Sequence, residues 1–112
     1  MNATVAARQI IREAWPLSRH GKVANIIHHV VRFVGPRVAK PFTSRRALAI
    51  WHGEARRIDS EEMDALRQAL IEEQKREQRE LRARLAELDK ALAASDPAFF
   101  GASVAQEVSE AR

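Results

Sequence analysis

The chain has 112 residues, of which 46% are hydrophobic and 30% are charged, and it contains no cysteine. This length allows one compact domain, or a smaller domain plus a long element, and excludes two full-sized cores. The missing cysteines exclude disulfides and thiol catalysis and favour a reducing compartment. No uncharged apolar run approaches the roughly 20 residues that cross a bilayer. We therefore expect a cytoplasmic protein with no membrane partner.

The basic side chains are concentrated in the first half of the chain. Residues 1–57 carry eleven Lys and Arg against two acids, whereas residues 58–112 carry eight against thirteen. Such an asymmetry is typical of a chain in which one part faces a polyanion and the other stays soluble or self-associates. A basic face without any partner is an alternative that charge alone leaves open.

Two helices are predicted before residue 36. Apolar side chains at helical spacing predict the first over residues 5–15, with Thr4 as a possible N-cap and Pro16 at its end. A loop over residues 17–21 follows. The second helix covers residues 23–34, and Gly35 with the next proline is expected to stop it.

The stretch PFTSRRALAIWHGEARR, residues 41–57, predicts a third helix that is basic and short. Thr43 or Ser44 can accept a hydrogen bond at its start, and Gly53 can adopt the left-handed conformation that closes it. At about two to three turns, it depends on packing against the first two helices. Trp51 falls on its apolar side and is expected in the core.

The clearest helix start is at IDSEEM, where Asp59 is the expected N-cap and Glu62 its capping-box partner. Ile58 and Met63 have the spacing of a hydrophobic staple. Neither proline nor glycine occurs from there to residue 94, and strong helix formers dominate. We therefore predict one helix of about 35 residues.

The apolar positions of this long helix follow a 3-4-4 spacing, which predicts a nearly straight or slightly right-handed pairing. Met63, Leu66 and Leu70, with Ile71, are expected to close the basic domain. Four further leucines need a partner, because burying each is worth roughly 1.5–3 kcal/mol. The same helix of a second subunit, in either orientation, is expected to cover them, and a fold-back onto the chain itself is the alternative. The expected dimer interface is Leu81, Leu85, Leu88 and Leu92.

After the long helix, Asp96 and Pro97 predict a short helix in which Phe99 and Phe100 form an apolar plug. Whether residues 101–112 are ordered is left open. The predicted fold is thus all-α, with three parts. These are a helix-turn-helix-like basic domain of three helices (1–58), a long coiled-coil-like helix (59–95), and a short helix with its tail (96–112).

No catalytic constellation is recognisable in the chain. His28 and His29 are adjacent and so point about 100° apart on a helix, which prevents both from ligating one metal from one face. Metalloprotease, paired-cysteine and glycine-rich phosphate motifs do not occur. We expect no enzymatic activity, cofactor, metal or small-molecule ligand.

Three short helices, a basic third helix and a dimerising long helix are the layout of a helix-turn-helix DNA-binding protein. The third helix, residues 44–52, is expected in the major groove of double-stranded DNA. The residues expected to contact base edges are Thr43, Ser44, Arg45 and Arg46. Those expected to contact phosphates are Arg37, Lys40, Arg56 and Arg57. The predicted function is a homodimeric transcriptional regulator associated with the nucleoid.

The run SRRALAIWHGEARRIDSEEMDALR, with the leucine-rich helix and SDPAFF after it, resembles small phage-type and alphaproteobacterial proteins suspected of helix-turn-helix DNA binding. The similarity covers about residues 43–100 and implies a DNA-binding role without naming a target. The chain departs from a standard motif at GPRVAKPF, residues 35–42, which is longer than the usual turn of three to four residues.

Two other functions remain open. A phage-type DNA-packaging subunit would use the same basic domain but assemble into a ring. A protein-interaction adaptor would use the long helix or the Phe99–Phe100 segment and would not bind duplex DNA. RNA is less favoured, since the chain has only four Phe and two Trp.

Overall fold

The computed structural model describes residues 2–95, and within them all regular structure is helical, as expected. The helices are α1 (Ala3–Ala14), α2 (Leu17–His20), α3 (Val23–Val34), α4 (Ser44–Trp51) and α5 (Ser60–Ser95), with a turn of 3₁₀ helix at Gly35–Arg37. None of these helices is long and apolar enough to span a membrane. The short helix predicted after Asp96 lies outside the described residues.

The chain divides into two compact units, Met1–Lys75 and Arg76–Arg112. The first unit, called the basic unit below, includes the start of α5, beyond the boundary expected at residue 58. Its core is built by side chains from α1, α3, α4 and the start of α5. The large side chains that are completely buried there are Ile11, Ile26, Val30, Val34, Ile50 and Leu66.

The start of α1 differs from the prediction. Asn2, not Thr4, is the N-cap, because its Oδ1 accepts the Val5 N–H at 2.9 Å. Thr4 lies inside the helix, where its hydroxyl donates to the Ala55 carbonyl at 2.8 Å. That bond ties α1 to the segment that follows α4.

The loop predicted at residues 17–21 is instead the single helical turn α2. Pro16 precedes it with φ −63°, the value that a proline ring imposes. Gly21 closes it with φ +77°, and its N–H donates to the Leu17 carbonyl at 2.7 Å. A left-handed residue at this point is compatible with glycine because it lacks a Cβ.

Helix α3 ends at Val34 as predicted, but Gly35 is not a left-handed cap. Its φ of −48° and ψ of −53° are right-handed, and the chain continues into the 3₁₀ turn. Pro36 lacks an N–H and so cannot continue the α-helical bonding. Arg37 Nη1 instead donates to the Phe33 carbonyl at 2.7 Å, while its guanidinium lies 3.6 Å from the centre of the Phe33 ring.

The long connection between α3 and α4 is held against the start of α5. The Ala39 N–H donates to Glu61 Oε2 at 3.0 Å, and Lys40 Nζ lies 3.7 Å from Asp59 Oδ2. Helices α3 and α4 nevertheless pack against each other. The extra residues of this connection therefore do not keep the two helices apart.

The predicted starts of α4 and α5 are confirmed, and α4 ends at Trp51, one residue before the predicted end. Thr43 Oγ1 accepts the Arg46 N–H at 3.2 Å, and Gly53 has φ +73°. Glu62 Oε1 accepts the Asp59 N–H at 2.9 Å, which is the acidic half of the expected capping box. Met63 is buried in the core.

Ile71 does not close the core as expected, since it is 52% exposed while Leu66 is buried and Leu70 is partly buried. In the second unit, the four leucines of the expected dimer interface are 44–63% exposed. This group (Leu81, Leu85, Leu88, Leu92) is called the leucine seam below.

Candidate nucleic-acid interface

The N-terminus of α4 is exposed on a helix that the core holds in place. Ala47, Ile50 and Trp51 are buried, so the side of α4 that carries Trp51 faces the core as predicted. The residues at its start, Thr43, Ser44 and Arg45, are exposed. The backbone amides of a helical first turn and the positive end of the helix dipole favour anions at this end.

The two neighbouring arginines of α4 point to different parts of the molecule. Arg45 lies beside α3, at the edge of a groove, whereas Arg46 reaches α5. Successive side chains on a helix are about 100° apart, which accounts for the divergence. Arg45 makes no hydrogen bond or ion pair within residues 2–95.

Arg46 forms a network with the start of α5. Its Nε donates to Glu62 Oε2 at 2.9 Å, and its Nη2 donates to Glu62 Oε1 at 2.8 Å. Nη2 also donates to the Arg57 carbonyl at 2.6 Å. Such a two-bond arrangement of guanidinium and carboxylate is the strongest ion-pair geometry available to arginine.

The ionisation of this pair follows from its surroundings. Burial acts to raise the pKa of Glu62, but the hydrogen bonds from Arg46 and from the Asp59 N–H, with the positive charges of Arg46 and Lys40, lower that pKa below its ordinary value of 4.5. The hydrogen bond to Glu62 raises the pKa of Arg46. Both groups therefore stay charged near neutral pH.

The structure thus gives Arg46 a partner that the sequence analysis did not expect. Its side chain joins the first turn of α4 to the first turn of α5 inside the basic unit. The sequence did mark Glu62, through its capping-box spacing, but 16 positions separate it from Arg46. No local pattern links residues that far apart.

The four expected phosphate contacts fall into two groups. Arg56 and Arg57 are exposed, and neither side chain forms an ion pair in the described part of the chain. Arg37 is held by the Phe33 carbonyl and lies 4.0 Å from Glu72, so it is less available than expected. Lys40 faces Asp59 but its side chain is 81% exposed, and exposed pairs of this kind are weak.

A groove of about 610 Å³ lies between α3 and α4. Its apolar part is formed by Ala24, Ile27 and Leu48, and its polar part by His28, Ser44 and Arg45. The sequence pattern did not indicate this groove. Leu48 is 39% exposed there.

Metal binding finds no support in the region that can be described. No group of three or more His, Cys, Asp and Glu side chains among residues 2–95 has the arrangement to hold a metal ion. The ring centres of His28 and His29 lie 5.9 Å apart, and the angle between the ring planes is 70°.

Comparison of this chain with protein-family models, with curated proteins and with solved structures finds no match. The resemblance to helix-turn-helix proteins of phage type therefore rests on the residues quoted for it and remains an expectation.

Proposed function

We propose that this protein binds double-stranded DNA as a homodimer and regulates transcription, with the N-terminus of α4 in the major groove. The observation that carries the proposal is the exposed, unpaired Arg45 beside Thr43 and Ser44, on a helix fixed by the core. Arginine pairs with guanine O6 and N7, and hydroxyl groups contact bases or phosphates. The bases are thus assigned to Thr43, Ser44 and Arg45.

The remaining exposed cations are suited to the phosphate backbone. Arg56 and Arg57 lie in the segment between α4 and α5, and Arg57 is joined to α4 by the bond from Arg46 to its carbonyl. Phosphate contacts of this kind position a protein on DNA without specifying sequence, and they weaken as salt rises. Lys40 is proposed as a further phosphate contact.

Arg46 supports this surface indirectly. Its two bonds to Glu62 fix the first turn of α4 relative to α5, which limits the freedom of the neighbouring Arg45. A side chain on an element held in this way loses less entropy when it binds. We therefore assign Arg46 a positioning role and not a base contact.

The experiment compares arginine variants on two kinds of duplex. A preferred site is first selected from genomic fragments, and dissociation constants are then measured for that site and for random duplex across a salt series. Arg45→Ala should weaken binding to the preferred site by about 5- to 150-fold, which corresponds to about 1–3 kcal/mol. Its effect on random duplex should be smaller.

The double variant Arg56→Ala/Arg57→Ala should weaken both duplexes alike and reduce the salt slope by about 2. Arg67→Ala is the control matched to Arg45→Ala. Arg67 is an exposed arginine on α5, and its replacement likewise removes one positive charge. If Arg45→Ala weakens both duplexes equally, α4 contacts only phosphates. If neither the unaltered protein nor any variant binds duplex DNA in a salt-dependent way, the proposed function is wrong.

A further inference from the structure

The leucine seam has the spacing of a two-stranded coiled coil. Its members follow each other at intervals of four, three and four residues, which are the intervals between the core positions of a heptad. Leu85 and Leu92 occupy position a, and Leu81 and Leu88 occupy position d. The longer 3-4-4 pattern had joined them to Met63 and Leu66, but those two side chains are buried in the basic unit and take no part in the seam.

The residues that flank the seam carry alternating charges. Position g is occupied by Glu77 and then Arg84, and position e by Arg82 and then Asp89. These are the positions that set partner choice and orientation in coiled coils. Each g residue is therefore opposite in sign to the e residue that comes five positions later in the chain.

A parallel pairing in register uses all of these charges. In that arrangement a g side chain of one helix faces the e side chain five positions later on the other. Glu77 then faces Arg82 of the partner subunit, and Arg84 faces Asp89 of the partner subunit. By symmetry each contact occurs twice, which gives four attractive contacts.

An antiparallel pairing of the same leucines forms fewer attractive charge contacts. Position e then faces e and g faces g, so Arg82 faces Asp89 of the partner subunit while Arg84 faces an alanine, Ala91. Gln78, a polar residue at position a, would then meet Ser95 of the partner subunit. In the parallel arrangement it meets its own copy, with which its amide can exchange hydrogen bonds.

We infer that a second copy of this chain covers the leucine seam in a parallel, in-register coiled coil over residues 77–92. The Glu77–Arg82 and Arg84–Asp89 contacts set its orientation. Neither Arg82 nor Asp89 has an ion pair in the described chain. Arg84 lies 3.6 Å from Glu87 three residues on, with both side chains about 70% exposed, and such a pair yields readily to another partner. The inference rests on the proposed self-association and not on DNA binding.

Charge exchange separates the two orientations. Arg82→Glu places like charges at the flanks in either orientation and should weaken self-association about tenfold, as expected for two exposed contacts that change sign. Adding Glu77→Arg restores attraction only in the parallel pair. Adding Asp89→Arg restores it only in the antiparallel pair. Sedimentation equilibrium of the full chain at low salt, without DNA, measures all four proteins.

Disulfide trapping gives an independent readout, because the chain has no cysteine of its own. Gln78→Cys should cross-link to itself under mild oxidation if the pair is parallel. Ala83→Cys, at the outward position f, is the control that should not cross-link. A mixture in which Gln78→Cys cross-links only to Ser95→Cys would overturn the inference, as would rescue by Asp89→Arg.

A chain that stays monomeric at all concentrations would also overturn the inference and would remove the dimer from the proposed function. If the chain binds duplex DNA but pairs in the antiparallel orientation, the inference is wrong while the proposed function is unaffected. The two failures are thus distinguishable.

Discussion

Replacing Arg46 with methionine tests whether this guanidinium is a structural part of the basic unit. Methionine keeps an unbranched apolar stem of similar reach, but it removes the charge and the three hydrogen bonds to Glu62 and to the Arg57 carbonyl. Glu62 is then left without its main partner in a largely buried place. Arg45→Met is the matched control, because the neighbouring arginine is exposed and unpaired.

The magnitude follows from the exposure of the two partners. The Glu62 side chain is 8% exposed and that of Arg46 is 30% exposed. Removing one partner of a fully buried pair costs about 3–5 kcal/mol, since an uncompensated charge remains. Water can reach this pair from the arginine side, so we expect a loss of about 2–3 kcal/mol. With a urea dependence of about 1 kcal/mol per M for a unit of this size, the midpoint of unfolding falls by about 2–3 M.

Urea unfolding followed by tryptophan fluorescence measures this loss, because Trp15 and Trp51 are both buried in the basic unit. Arg45→Met should change the free energy of unfolding by no more than about 0.5 kcal/mol. The double variant Arg46→Met/Glu62→Gln should recover much of the loss, since glutamine is uncharged and can still accept the Asp59 N–H. Equal effects of Arg45→Met and Arg46→Met would refute the structural role.

Two further predictions concern the same unit. The folded protein holds the pKa of Glu62 below 4.5. The stability that this carboxylate contributes is therefore complete above its ordinary pKa and is lost as pH falls through the lower pKa of the folded state. Urea midpoints measured from pH 7 to pH 2 should fall less steeply for Glu62→Gln than for the unaltered protein. Gly53→Ala should destabilise the unit by about 1 kcal/mol, because φ is +73° and the added Cβ would meet only Arg8 Nη1 at an ordinary 3.6 Å. Gly53→Asn should lose less stability than Gly53→Ala in the same urea titrations, because asparagine tolerates a positive φ better than alanine, and equal losses in the two variants would contradict the conformational explanation.

Much of the fold was predictable from short sequence patterns. Thr43 and Gly53 bound α4, and Asp59 with Glu62 begins α5, because each of these signals depends on bonds between residues a few positions apart. The all-α class and the long helix followed from apolar spacing and composition. The N-cap at Asn2 was missed because threonine is also a common capping residue, and the structure distinguishes the two by the bond from the Val5 N–H to Asn2 and by that from Thr4 to the Ala55 carbonyl.

The sequence could not show which of Arg45 and Arg46 forms an ion pair inside the basic unit. Both are basic, both follow a capping residue, and the three-dimensional position of Glu62 decides which one is used internally. The contact between Arg37 and Phe33 spans the end of α3 and the 3₁₀ turn that follows it, and the sequence analysis did not expect that turn. The groove beside Arg45 depends on how α3 and α4 approach each other, which apolar spacing does not specify.

The core of the basic unit is completed by Met63, Leu66 and Ala69, at the beginning of α5. During synthesis these side chains leave the ribosome before the leucine seam does, since the chain emerges from its N-terminus. The basic unit can thus close as soon as the start of α5 has emerged, while the seam is still inside the ribosome. If two chains pair through the seam as proposed, each can do so with its basic unit already closed, so assembly does not require the core to be exposed.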